Sequence, residues 1–191
     1  MEPPADAPAR EDRSVSMGEA NFYAIVGVLP ACTVLALAFV AVWGWGAFAS
    51  GFAWLFDDLV RFLLLFTAGV LVHEGLHGLA WRLAGAPAGT VRFGFQWKTL
   101  TPYAHCTAPM PARAYRIGAA APGVALGLLP AAVGLAVGGG AWMAFGLLFT
   151  LAAGGDALIL WLLRGVAPER LVEDHPERAG CYLLPGRADE A

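Results

Sequence analysis

From Asn21 to Arg164 the chain is a near-continuous succession of apolar runs. Each is close to the roughly 20 residues a helix needs to cross the hydrocarbon core of a bilayer. They fall at 21–43, 59–83, 115–137 and 141–164. Backbone polar groups find no water at that depth, so such runs must close their hydrogen bonds internally, as helices. Composition agrees, with 58% of the 191 residues hydrophobic, 14% charged and a mean hydropathy of +0.61, too apolar for an ordinary soluble domain. The expected fold is an all-α membrane protein with four transmembrane helices, whose first partner is the lipid bilayer.

Residues 1–20 carry five carboxylates (Glu2, Asp6, Glu11, Asp12, Glu19) against two arginines. They lack the basic start of a secretory signal and read as a disordered cytoplasmic tail before a 21–164 membrane domain. With four spans, eleven of the twelve basic residues fall on the side shared by both termini and the 84–114 connection, leaving Arg61 alone on the other. Positive residues mark the inside, so a multi-pass protein of the cell membrane with both termini cytoplasmic is expected. A net charge of -3 gives no nucleic-acid signature. Cys32, Cys106 and Cys181 are odd in number and unpaired by motif, which argues against a disulfide framework. Oligomeric state leaves no mark on the sequence.

The connections carry their own signals. Residues 44–58 read as an external loop with an interfacial belt of Trp43, Trp45 and Trp54, and Asp57 and Asp58 as caps for the second span. Pro122, Gly123 and Pro130 make the third span the expected broken helix, because prolines free backbone groups that need other partners. Between helices 2 and 3, Val91, Phe93, Phe95 and Trp97 alternate with Arg92, Gly94, Gln96 and Lys98. That period of two predicts a short β-hairpin or an extended loop, packed on the bundle or offering an edge to an extended peptide. Residues 165–191 hold Pro168, Pro176 and Pro185 and read as an irregular cytoplasmic tail.

Against this apolar background, the second span contains His73, Glu74 and His77 in VLVHEGLHGLAW. Ionisable groups at membrane depth cost ~2.5–3.5 kcal/mol each on insertion scales, so three within five residues call for a compensating partner. On a helix, residues four apart differ by only ~40° in azimuth and ~6 Å in rise. Both imidazoles can therefore grip one metal ion while Glu74 reaches a water on it. Water on zinc has its pKa lowered from about 15.7 to about 7, and a glutamate beside it can take the proton, which is the chemistry of amide hydrolysis. The competing reading, two neutral histidines bonded to carbonyls, needs fewer ionisable groups than are present.

A catalytic zinc usually takes three protein ligands and keeps a place for water. Asp156, the acid inside the fourth span, is the candidate third ligand. It precedes Arg164 by ~12 Å of helix, while His73 and His77 precede Arg82 by ~13 and ~7 Å, so the three share a depth near the cytoplasmic face. Gly154 and Gly155 would let that helix approach another closely. Otherwise Asp156 would be a protonated carboxyl bridging helices. His105 and Cys106, with His175 and Cys181, offer a secondary Cys/His site whose spacing matches no ligand pattern. His105 could instead face an oxyanion at the main site.

Taken in order, HEGLHG, VRFGFQWKTLTPYAHC, Pro122-Gly123, AAGGDALILWLLR and EDHPERAGC resemble the bacterial and archaeal membrane family named domain of unknown function 3267, described as zincin peptidases. The likeness runs from about Leu59 to Cys181. More distantly the arrangement is similar to site-2 proteases, intramembrane zinc peptidases with two histidines and a glutamate on one span and an aspartate on a later one. That similarity implies His73, His77 and Asp156 as zinc ligands and Glu74 as base. Those enzymes place the aspartate after an Asn-Pro pair, whereas here it follows Gly154-Gly155, so no substrate-binding role carries over from that pair. The expected function is a membrane-embedded zinc metalloendopeptidase acting on a membrane or juxtamembrane peptide. The alternative is a non-catalytic metal-binding membrane protein such as a sensor, an assembly factor or a transport component.

Overall fold

A computed structural model of the chain describes residues 10–97 and 101–185. The expectations for residues 1–9 of the tail, for Lys98 in the connection and for 186–191 lie outside the described residues. The helices are α1 (Met17–Phe56), α2 (Leu59–Leu83), α3 (Ala112–Pro122), α4 (Leu129–Val137), α5 (Gly140–Ala152) and α6 (Gly154–Leu162), with a π-helical stretch Gly123–Leu128 joining α3 to α4. Three stretches, within α1, along α2 and from Ala112 to Val137, are long and apolar enough to cross a membrane; α5 and α6 make a fourth if taken as one bent span.

Ser16 starts α1 with a capping box, its side chain accepting from the Glu19 amide while the Glu19 carboxylate accepts from the Ser16 amide. The helix then runs for 40 residues, about 60 Å and twice what one crossing requires. It is interrupted only at Gly44, where φ is +83°. The loop expected over 44–58 is therefore corrected: the chain stays helical to Phe56, and Asp57 and Asp58 alone link it to α2. Two contacts hold the extra turns. Phe48, Phe52 and Phe56 recur every four residues with centroids 4.7 and 6.0 Å apart, and Gly51 lies so close to α5 that a Cβ there would sit 2.0 Å from Gly140. Asp58 caps α2, accepting from the Arg61 amide at 3.0 Å.

The break expected in the third span falls in the fourth. A π-helical stretch absorbs the strain of Pro122 and Pro130, as an inserted wide turn can, and the helix continues to Val137. The fourth stretch bends by 47° between α5 and α6, at Ala153 and the two weak helix formers after it. Thr150 bonds back to the Gly146 carbonyl at 2.8 Å just before the bend, a contact that tends to bend helices.

Strands gather at one end of the bundle. β1 (Glu11–Val15), β4 (Met110–Pro111), β5 (Leu171–Asp174) and β6 (Ala179–Leu183) form an antiparallel sheet in the order β1-β6-β5-β4. This corrects the irregular C-terminal tail and the disordered tail from Glu11 onward. The strands are short, and only β5 and β6 pair locally; β4 meets β5 some 60 residues on, and β1 meets β6 more than 150 residues away, as in Glu11 opposite Leu183, so local periodicity could not announce the sheet. β2 (Val91–Gln96) and β3 (Thr101–Cys106) form a separate antiparallel pair between α2 and α3. Beneath the strands lies the main buried core, where Trp81, Cys106, Met110, Tyr115, Leu163, Val172, Cys181 and Leu183 pack together. Arg116 of α3 closes the end of α6, donating to the carbonyls of Leu163 and Val166.

Candidate metal centre

Along α2 the buried residues are Gly69, His73, His77, Gly78 and Trp81, a single stripe at helical spacing. The rest of the helix is exposed leucine and valine suited to lipid. Gly69 meets Phe149 of α5 and Gly78 meets Phe93 of β2, while His77 and Trp81 face α3, where Gly118 makes the approach possible, since a Cβ there would sit 1.9 Å from the Trp81 indole nitrogen. On the other side the bend at Ala153 points the first turn of α6 at α2. Gly154 lets α6 close on α1, where a Cβ would meet the Ala24 carbonyl at 2.7 Å; Gly155 has nothing within 4 Å.

The outcome is that His73 Nε2 lies 3.1 Å from Asp156 Oδ2 and His77 Nε2 lies 3.3 Å from Asp156 Oδ1. All three ligand atoms fall within 4.8 Å of one another. Two details favour a cation over a plain hydrogen-bonded cluster. His77 Nδ1 is 2.9 Å from the Gly118 carbonyl, which can only accept, so that nitrogen carries the proton and Nε2 presents its lone pair. Asp156 Oδ2 is buried yet makes no hydrogen bond, despite its contact with His73. Two imidazoles and one carboxylate are also a donor set that zinc takes in catalytic sites. The residues present therefore fit a zinc ion.

The Gly118 carbonyl is free for a reason written in the sequence. In a regular helix the amide of residue 122 would bond to it, but residue 122 is proline and has no N–H.

Glu74 lines the same cavity of about 270 Å³ as His73, His77 and Asp156, with Ala104 also in its wall. Because Thr107 donates to the Thr90 carbonyl, the register of β2 on β3 turns the backbones of Pro102, Ala104 and Cys106 away from β2. This outer edge of β3 borders the cavity through Pro102, Tyr103 and Ala104.

The secondary residues do not assemble. Among the described residues, His73, His77 and Asp156 are the one group of three or more potential ligands close enough to share an ion. Cys106 is buried, its Sγ near the Ala108 carbonyl and Thr90. The Cys181 thiol is pushed up to about 12, chiefly by burial, and so stays protonated. His175 uses Nδ1 to accept the Glu177 and Arg178 amides. His105 is not in the cavity wall; its Nδ1 lies 2.9 Å from Asp174, a hydrogen bond that holds the imidazole above its usual range against the opposing effect of burial. Trp81, Tyr115 and Asp174, which do line the cavity, escaped the sequence reading because aromatic and acidic residues so far apart carry no shared pattern.

Two helix-borne histidines, a carboxylate from a later helix and a glutamate between the histidines make a candidate metal centre set among membrane-capable helices. A family model with the description "Putative zincin peptidase" matches residues 63–170, more than half of the chain, and the protein belongs to that family. No curated protein and no solved structure matches it.

Proposed function

We propose that the protein is a membrane-embedded zinc metalloendopeptidase, with His73, His77 and Asp156 as ligands and Glu74 as general base. The observation that carries this reading is the opening of Glu74 and all three candidate ligands into one cavity beside a strand edge. A zinc ion held there supplies Lewis acidity, bringing the pKa of a water from about 15.7 to about 7. His77 is oriented by the Gly118 carbonyl, and Asp156 spans both imidazoles from α6. Glu74, which lines the cavity beside the three candidate ligands, takes the proton of the attacking water and passes it to the leaving amine. The substrate is an extended peptide, membrane-derived or juxtamembrane, lying along the outer edge of β3. Ala104, whose backbone faces away from β2 and which lines the cavity, is the edge residue that would bond to it.

The site sits toward the end of the bundle that carries both strand groups. With basic residues concentrated there, that end is assigned to the cytoplasm. The test is Glu74→Gln in protein reconstituted in liposomes and offered a peptide library read by mass spectrometry. Cleavage by the wild type should vanish in the variant while zinc stays bound. Cleavage that persists in the variant defeats the mechanism, and a zinc-loaded wild type that cuts nothing favours a non-catalytic metal binder.

A further inference from the structure

Asp174 belongs to β5, beyond the stretch that the family model covers, yet it lines the cavity of the metal centre. Its side chain is 11% exposed, and its two oxygens serve different walls. Oδ1 accepts the Tyr115 hydroxyl of α3. Oδ2 accepts from His105 Nδ1 at 2.9 Å and from the Cys106 amide at 3.2 Å, both on β3.

Tyr115 leads onward to the metal centre. Its ring stacks on Trp81 with centroids 5.8 Å apart, and Trp81 stacks on His77 at 5.6 Å, each pair inclined by 22°. The Trp81 indole also donates to the Tyr115 carbonyl at 3.4 Å. One carboxylate therefore ties the strand bordering the cavity to the helix that backs a candidate ligand. Nothing in the hydrolytic step accounts for it.

We propose that Asp174 is a positioning residue, clamping β3 to α3 so that the slot between strand edge and metal centre holds the width an extended peptide needs. The inference rests on the peptidase reading and enlarges it, because it makes the C-terminal sheet part of the catalytic unit. Both oxygens are necessary. An asparagine can meet all three partners only if the Tyr115 hydroxyl turns round to accept from its amide, and it loses the charge that strengthens each of these bonds.

The experiment compares full-length wild type and Asp174→Asn, zinc-loaded and in micelles or liposomes. On whichever library peptide the wild type cuts, KM should rise about tenfold or more with a smaller change in kcat, as expected when a supporting partner is lost. Zinc affinity should hold, since no ligand is touched. The histidine ring resonances give a readout free of turnover. Asp174, with Glu173 beside it on β5 and Arg92 opposite on β2, sets the charge around His105. Its titration midpoint, raised in the wild type, should move toward acid in the variant.

An unchanged KM with kcat lowered in step with thermal stability would reduce Asp174 to a structural residue, and an unmoved His105 midpoint would show that the clamp does not exist. Should Asp174→Asn fail to fold, His105→Gln and Tyr115→Phe each remove one arm, and each should raise KM by a smaller factor; no rise in either overturns the proposal. If the wild type cuts no peptide, the peptidase reading falls, while the His105 titration still judges the clamp.

Discussion

Pro122 controls a candidate metal ligand without supplying a bond to it. By withholding an amide it leaves the Gly118 carbonyl to His77 Nδ1, and so fixes which imidazole nitrogen faces the site. Pro122→Ala returns a competing N–H. We expect zinc affinity to fall roughly tenfold, although the helix itself gains, since an interior proline costs ~3 kcal/mol relative to alanine. Calorimetric zinc titration beside thermal unfolding checks this pair of opposite signs; affinity and stability rising together would contradict it. That His73, His77 and Asp156 come together was legible at this scale because ionisable groups are so costly in an apolar run that few explanations survive. Asp174 was not legible, because an acid in a polar segment carries no such penalty and its partners lie 59 and 68 residues away.

Among elements, the short helix α6 decides whether the centre exists. It carries Asp156 in its first turn, where a carboxylate also suits the positive end of the helix dipole. Its direction is set by the 47° bend, by Gly154 against Ala24 and by Arg116 at its far end. Two adjacent glycines thus predict different outcomes. Gly154→Ala pushes α6 from α1 and should weaken zinc binding about tenfold, whereas Gly155→Ala meets nothing and should leave it unchanged. Equal effects on zinc affinity would show that the α1 contact does not place Asp156. Proline content pointed to the wrong span for the break: a π-helical stretch can accommodate prolines without a bend, while Gly-Gly and a back-bonded Thr150 yield more readily.

For the whole molecule, the sheet that joins β1 to β6, and β4 at the start of α3 to β5, brings both ends of the described chain to one end of the bundle. On the proposed four-span reading α5 and α6 act together as one span, and the crossings between the two ends are even in number. Reporters fused to either terminus should both read cytoplasmic, and Asp57→Cys should react with an impermeant thiol reagent from outside; termini on opposite faces would contradict this. The apolar runs were plain in the sequence since lipid imposes length and composition on them. The sheet was hidden because its strands are short and two of its three pairings, β1 with β6 and β4 with β5, are non-local. The central claim is that α2 and α6 jointly hold one zinc ion, and metal analysis of purified wild type beside Asp156→Asn tests it most directly. The account predicts zinc stoichiometric with the wild-type chain and largely lost from the variant. Equal metal content in the two, or none in the wild type after zinc loading, would contradict it.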